Sequence, residues 1–157
     1  MAAEPVVPRD RWSLDRVLFG PEEIRKINQQ RFEMEHLDRI THLDAAAQEI
    51  VGVKDVREDE FWVRGHVPGR PLLPGVLMLE ALAQLTSFYI GHTVPDIGFI
   101  GFGGVDLVKF RQTVVPGHRL VLVGKGFEIR SRRAIFDTQG WVDDKLAVEA
   151  RITGVKV

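Results

Sequence analysis

The 157-residue chain contains no cysteine. That absence excludes a disulfide framework, thiolate-ligated zinc or iron–sulfur, and any reaction run through a cysteine nucleophile, and it fits a cytoplasmic protein. An excess of one charge is missing too. The 21 Lys and Arg against 22 Asp and Glu leave a formal charge of -1, which gives no electrostatic ground for nucleic acid or an anionic membrane as main partner. The most apolar stretch, 76–90, is broken by Glu80, Gln84, Thr86 and Ser87, so it reads as a buried helix and not as a membrane span. Residues 1–8 hold Glu4 and two prolines where a secretory signal would place a basic start and an apolar run. No internal repeat, low-complexity tract or phosphate-cradling glycine loop is visible. His36, His42, His92 and His118 show no metal-ligand spacing and read as surface or packing residues, so neither metal nor cofactor is expected.

What remains is an ordinary globular balance: 45% hydrophobic and 27% charged residues, enough for one domain with a real core. Residues 1–20 read as a leader, poorly ordered or lying on the surface, and 21–157 as a single domain. Pro21, followed by Glu22 and Glu23, suits a helix start. Two strand-like runs follow between 37 and 56, separated by a turn at 44–48. Residues 65–75 carry three prolines and glycines at both ends, a composition that makes a shaped loop. Beyond Pro95 the period falls from helical to two. Leu120 to Val123 reads as a strand buried on both faces, Ala134 to Val142 as another. In the last, Leu146, Val148, Ala150 and Ile152 point one way. One long helix and five or six antiparallel strands make an α+β domain whose sheet wraps the helix.

The chemistry gathers where the loop meets the helix. The helix is apolar nearly all round, yet Glu80, Gln84 and Ser87 recur at i, i+4 and i+7 as one polar stripe. A carboxyl in such surroundings costs several kcal/mol unless paired, hydrogen-bonded or protonated, and proteins keep such groups most often where they have a task. His66 opens the loop, and the helix start at Gly75 and Val76 presents unpaired N–H groups. An imidazole, a carboxyl and a backbone donor together supply a base, an acid and a polariser for a carbonyl oxygen. The bland alternatives are a loop histidine bonded to backbone and a structural carboxyl satisfied by Gln84.

At these residues the sequence resembles a known family. His66-Val67-Pro68-Gly69-Arg70-Pro71, then Pro74-Gly75-Val76-Leu77, then Glu80-Ala81-Leu82-Ala83-Gln84, look like the signature of 3-hydroxyacyl-(acyl-carrier-protein) dehydratases of FabZ type. The likeness continues at Leu37-Asp38-Arg39-Ile40 and from Val105 to Gly117. It implies a hotdog fold, an antiparallel sheet around one central helix. It also implies a homodimer, often built into a trimer of dimers, and an acyl carrier protein as partner. The family's histidine and glutamate come from different subunits. Carried over, His66 removes the C2 proton, Glu80 protonates the leaving C3 hydroxyl and the Gly75 N–H holds the thioester carbonyl. Gln84 supports Glu80, and Val76, Phe99 and Phe102 contact the acyl chain.

The chain departs from the family at several positions. Val67 replaces a phenylalanine, Gln30-Arg31-Phe32-Glu33 replaces His-Arg-Phe-Pro, and Gly101 stands where a tyrosine gates the acyl tunnel. Arg130, Arg132 and Arg133 form a small basic cluster, either a solvated hairpin or part of a carrier-docking surface. Two other functions fit the same residues: a hotdog acyl-thioesterase, and a non-catalytic module that binds the acyl chain or its carrier.

Overall fold

The computed structural model describes residues 2–157. Proline at the first turn starts α1 (Pro21–Ile27), and Glu23 reaches back to accept from the Gly20 N–H at 3.1 Å. Two short antiparallel strands follow, β1 (Arg39–Asp44) and β2 (Glu49–Asp55), and then an irregular stretch that delivers the chain to the long helix α2 (Gly75–Thr93). The remaining strands are β3 (Ile100–Phe110), β4 (Arg119–Ile129), β5 (Arg133–Val142) and β6 (Lys145–Lys156). All six form one antiparallel sheet in the order β1-β2-β4-β5-β6-β3. The sheet wraps α2, the hotdog arrangement expected from the sequence.

The inner core explains the wrapping. Met78, Ala81, Leu82, Leu85 and Phe88 on α2 meet Ile50, Leu120, Leu122, Phe136 and Val148 on the concave side of the sheet, all essentially buried. A helix apolar on nearly every side has no stable place except inside such a shell.

The outer face has its own cover. Residues 4–14 of the leader, expected to be poorly ordered or surface-lying, are seated against the convex side of β2, β4 and β5, while Phe19 packs on the inner side against Phe88. Val7 and Trp12 are buried there with Val51, Val121, Val123, Trp141 and Leu146. Trp12 donates its indole N–H to the Val7 carbonyl at 2.8 Å, and the Thr41 hydroxyl donates to the Trp12 carbonyl at 2.6 Å. The Arg9 guanidinium lies 4.5 Å over the Trp12 ring and 4.7 Å over that of Trp141. This packing is why Leu120 to Val123 is apolar at every position: α2 covers one side and the leader the other.

Two details depart from the sequence pattern. Leu146 joins this outer cluster, whereas Ala147 and Val148 both face inward, because the register between β5 and β6 shifts at Gly140 and Trp141. The glycine-rich stretch around Gly101 forms the start of β3, an 11-residue strand bonded to β6 from Ile100↔Lys156 to Phe110↔Val148.

The two edges of the sheet differ. At β1 the chain just before α1 comes alongside, with an antiparallel bridge between Phe19 and Ile40. At β3 no strand pairs with the outer edge among the described residues, and Phe102, Leu107 and Phe110 are about half exposed or more.

Candidate active site

His66 sits in the turn-rich segment between β2 and α2. Its backbone N–H donates to the Trp62 carbonyl at 2.9 Å, and the loop is tied farther on by the Leu73 N–H donating to the Val114 carbonyl at 2.8 Å. The ring Nδ1 lies 2.7 Å from the Leu72 carbonyl oxygen. A carbonyl only accepts, so the proton is on Nδ1 and the lone pair on Nε2. The exposed imidazole therefore presents a base outward.

Glu80 lies one to two turns into α2 and is half-buried. Its Oε1 accepts from the Gln84 amide Nε2 at 2.9 Å. That same Nε2 donates to the Met34 carbonyl at 2.8 Å, and Gln84 Oε1 accepts from the His36 backbone N–H at 2.9 Å. The Asn28 amide also donates to the Gln84 carbonyl, at 2.9 Å. The His36 N–H fixes which end of the amide is oxygen, so Gln84 can only donate toward Glu80. Gln84 is thereby tied at once to Glu80, to the Met34 carbonyl and to the His36 backbone.

The other expected residues lie at the start of α2, at or just before the start of β3, and in the β4–β5 hairpin. Gly75 and Val76 open α2, and among the described residues no acceptor takes up either N–H. A Cβ at Gly75 would stand 2.7 Å from the Phe110 ring, so only glycine fits beneath it. Val76 is 70% exposed. Phe102 lines a cavity of about 50 Å³ shared with Glu80 and Gln84, and Phe99 lines an adjoining one of about 30 Å³. At Gly101 the space a side chain would enter is taken by Val157, whose Cγ2 lies 2.8 Å from a Cβ built there. Arg130 and Arg133 are each 2.7 Å from Glu128, whereas Arg132 makes no ion pair among the described residues. His66 does not line the cavity that holds Glu80, and no hydrogen bond joins the two side chains within one chain among the described residues.

A third group of polar residues leaves no mark in the sequence. Lys54 and Glu60 form a buried ion pair at 2.6 Å, with side chains 1% and 6% exposed. Burial alone would raise the Glu60 carboxyl, but the hydrogen bond and charge of Lys54 hold it below its ordinary range. The His36 ring is also buried, with Nδ1 3.9 Å from Glu60. Burial first, and the Lys54 ammonium second, push its pKa down to about 4. These residues come from three separate segments, and nothing in their spacing marks them. They back both halves of the site: Glu60 begins the turn that carries His66, and the backbone of His36 holds Gln84.

His36 sets an acid limit. Above about pH 6.5 the ring is neutral folded and unfolded, and it has no effect. Below that the unfolded chain takes up a proton that the folded ring refuses until about pH 4. The loss across that window is about 3 kcal/mol, from the difference between the two pKa values. Urea midpoints for wild type should fall steeply between pH 6.5 and 4.5, and His36→Leu should flatten that slope. Parallel slopes would show that the ring does not set this limit.

No helix among the described residues is long and apolar enough to cross a membrane. Nor does any group of three or more His, Asp or Glu among them suit a metal ion.

Known proteins resemble this chain in sequence and in shape. The model of the FabA-like domain matches residues 28–151. A 3-hydroxyacyl-(acyl-carrier-protein) dehydratase FabZ from Desulfotalea psychrophila is 39% identical over 127 residues, 78% of this chain and 83% of that protein. The FabZ of Streptococcus agalactiae is 36% identical over 132 residues, 83% of this chain and 93% of that one. Among solved structures, a dehydratase heterocomplex from Xenorhabdus doucetiae superposes with a TM-score of 0.73 at 14% identity, covering 85% of this chain and 90% of that one. A mutant thioesterase from Pseudomonas aeruginosa superposes with a TM-score of 0.67 at 17% identity, covering 89% and 95%. At such identities the structural likenesses speak for the fold alone.

Proposed function

Since the chain belongs to the FabA-like family, we propose that it dehydrates 3-hydroxyacyl thioesters carried on acyl carrier protein to trans-2-enoyl thioesters, in fatty acid biosynthesis, with His66 as base and Glu80 as acid. The observation that carries these roles is the hydrogen bonding of the two side chains. Nδ1 of His66 is occupied by the Leu72 carbonyl, leaving Nε2 to take the C2 proton. Glu80 is held through one oxygen by Gln84, leaving the other to carry the proton that departs with the C3 hydroxyl as water. The free N–H at Gly75 polarises the thioester carbonyl and stabilises enolate character as the C2–H bond breaks. No cofactor takes part.

The reading requires two chains. Within one, Glu80 lies in a cavity that excludes His66, while apolar Val76, Phe102, Leu107 and Phe110 stand exposed along or beside the bare edge of β3. Pairing β3 with its counterpart in a second copy covers those side chains and continues the sheet. Each His66 then serves the Glu80 of its partner in a homodimer, and a trimer of dimers is the next level of assembly. The hairpin bearing Arg130, Arg132 and Arg133 is the carrier-docking surface in this scheme, with Arg132 its least neutralised member. A cytoplasmic setting belongs to the same reading and suits a chain without cysteine.

The test is mass spectrometry of a 3-hydroxyacyl carrier after incubation with the protein. Dehydration removes one water and leaves the acyl group attached. Release of the free carrier thiol would identify a thioesterase, and an unchanged carrier would identify a binding module.

A further inference from the structure

An antiparallel sheet with one face on a core commonly turns polar side chains outward on the other. The convex side of this sheet instead carries a continuous apolar row. Val51 on β2 stands opposite Val123 on β4, Val121 on β4 opposite Trp141 on β5, and Trp141 opposite Leu146 on β6. These side chains form one cluster across neighbouring strands. Trp141 alone contributes on the order of 150–250 Å² of apolar surface. With four aliphatic neighbours, the uncovered face reaches the roughly 300–600 Å² at which exposed apolar area marks a contact between molecules.

The cover over this face is thin. Val7 and Trp12 are its buried side chains, edged by Val6 and Leu14, and residues 4–14 add no strand to the sheet. Polar contacts hold the segment in place. Gln139 Oε1 accepts from the Val6 N–H at 2.8 Å, and its Nε2 donates to the Glu4 carbonyl at 3.0 Å. Arg11 pairs with Glu49 at 2.8 Å, and Arg9 donates to the Asp143 carbonyl at 3.1 Å. If the segment left, water could replace these partners, and Glu49 would keep His42 and Lys125 beside it. Only another apolar surface could replace Val7 and Trp12. A second copy carries that surface, since two such sheet faces pack about 10 Å apart and the same patch serves on both sides of a two-fold axis. We propose that residues 4–14 are an intramolecular cap that closes the convex face to a second copy of the chain. Molecules paired through β3 are thereby kept from stacking face to face as well. The cap acts in this way whatever reaction the site performs.

Light scattering on a size-exclusion column reads the outcome. A chain lacking residues 1–14 should stay folded, with a far-ultraviolet spectrum like that of wild type, and should reach about twice the wild-type mass at equal concentration. The full-length double variant Val7→Ser, Trp12→Ser uncovers the same face with the chain intact and should associate in the same way. Adding Val123→Lys to the shortened chain should return it to the wild-type mass, and so should an excess of free peptide spanning residues 2–14. A shortened chain that stays folded at the wild-type mass would overturn the proposal. So would a doubling that survives both Val123→Lys and the peptide, or aggregation without a discrete step. Loss of the fold in both the shortened and the substituted chains would overturn it too, because a cap can be removed and a core element cannot.

Discussion

His66→Ala should lower kcat for 3-hydroxyacyl dehydration by about a thousandfold, the middle of the range for a positioned general base. Glu80→Ala should do the same through loss of the acid. Neither change should disturb folding much, because His66 is exposed and Glu80 is only half-buried. The sharper result comes from combining the two inactive proteins. If His66 of one chain serves Glu80 of the other, a mixed dimer has one site with both residues and one with neither. Random re-pairing of equal amounts, by co-expression or by unfolding and refolding together, should then restore roughly a quarter of wild-type activity. A site contained in one chain would restore none. Rate assays on the mixture at fixed total protein decide between these.

Lys54→Met should destabilise the protein by about 3–5 kcal/mol, the cost of leaving a buried charge without its partner. Lys54 and Glu60 are both shut away from water, and the Glu60 carboxylate accepts from the Lys54 ammonium at 2.6 Å and from the Arg57 backbone N–H at 2.8 Å. With Lys54 gone, the carboxylate must either stay ionised in a poor solvent or take up a proton. The double variant Lys54→Met, Glu60→Met should recover most of the loss, because two apolar side chains fill the space without either penalty. Urea unfolding of the three proteins at pH 7 measures both numbers. A single variant as stable as wild type would mean that Glu60 finds water once Lys54 is removed. The single variant should also lose activity beyond its loss of stability, because Glu60 begins the turn that places His66.

The parts of this protein that were legible in the sequence are those whose causes are local. An all-round apolar helix with one polar stripe states its burial within 19 residues, and the prolines of 65–75 state that the approach to it is irregular. Membership in the family was likewise carried by a compact run from His66 to Gln84. What could not be read depends on partners distant along the chain. β3 is obscured by Gly101, Gly103 and Gly104 and by a bulge at Leu107, whose φ is 55°, and it exists because β6 supplies a ladder. Val7 and Trp12 show no period of their own, and their burial is dictated by outward-facing valines far along the chain on β2 and β4. The tautomer of His66 and the chain of contacts behind Gln84 are likewise products of folding, since Leu72, Met34 and His36 give no hint of either in their order.

The unlike margins of the sheet govern how far molecules of this kind can be added to one another. A ribbon whose two sides were both unpaired could accept new strands at each and lengthen without limit, as fibrils do. Here the Phe19 segment is bridged to Ile40 at the start of β1, so among the described residues the 11-residue β3 is the longer edge open to backbone pairing. Two molecules joined there use up that edge in each other. Growth through backbone hydrogen bonds at β3 stops at that first step, and a larger particle draws on other surfaces.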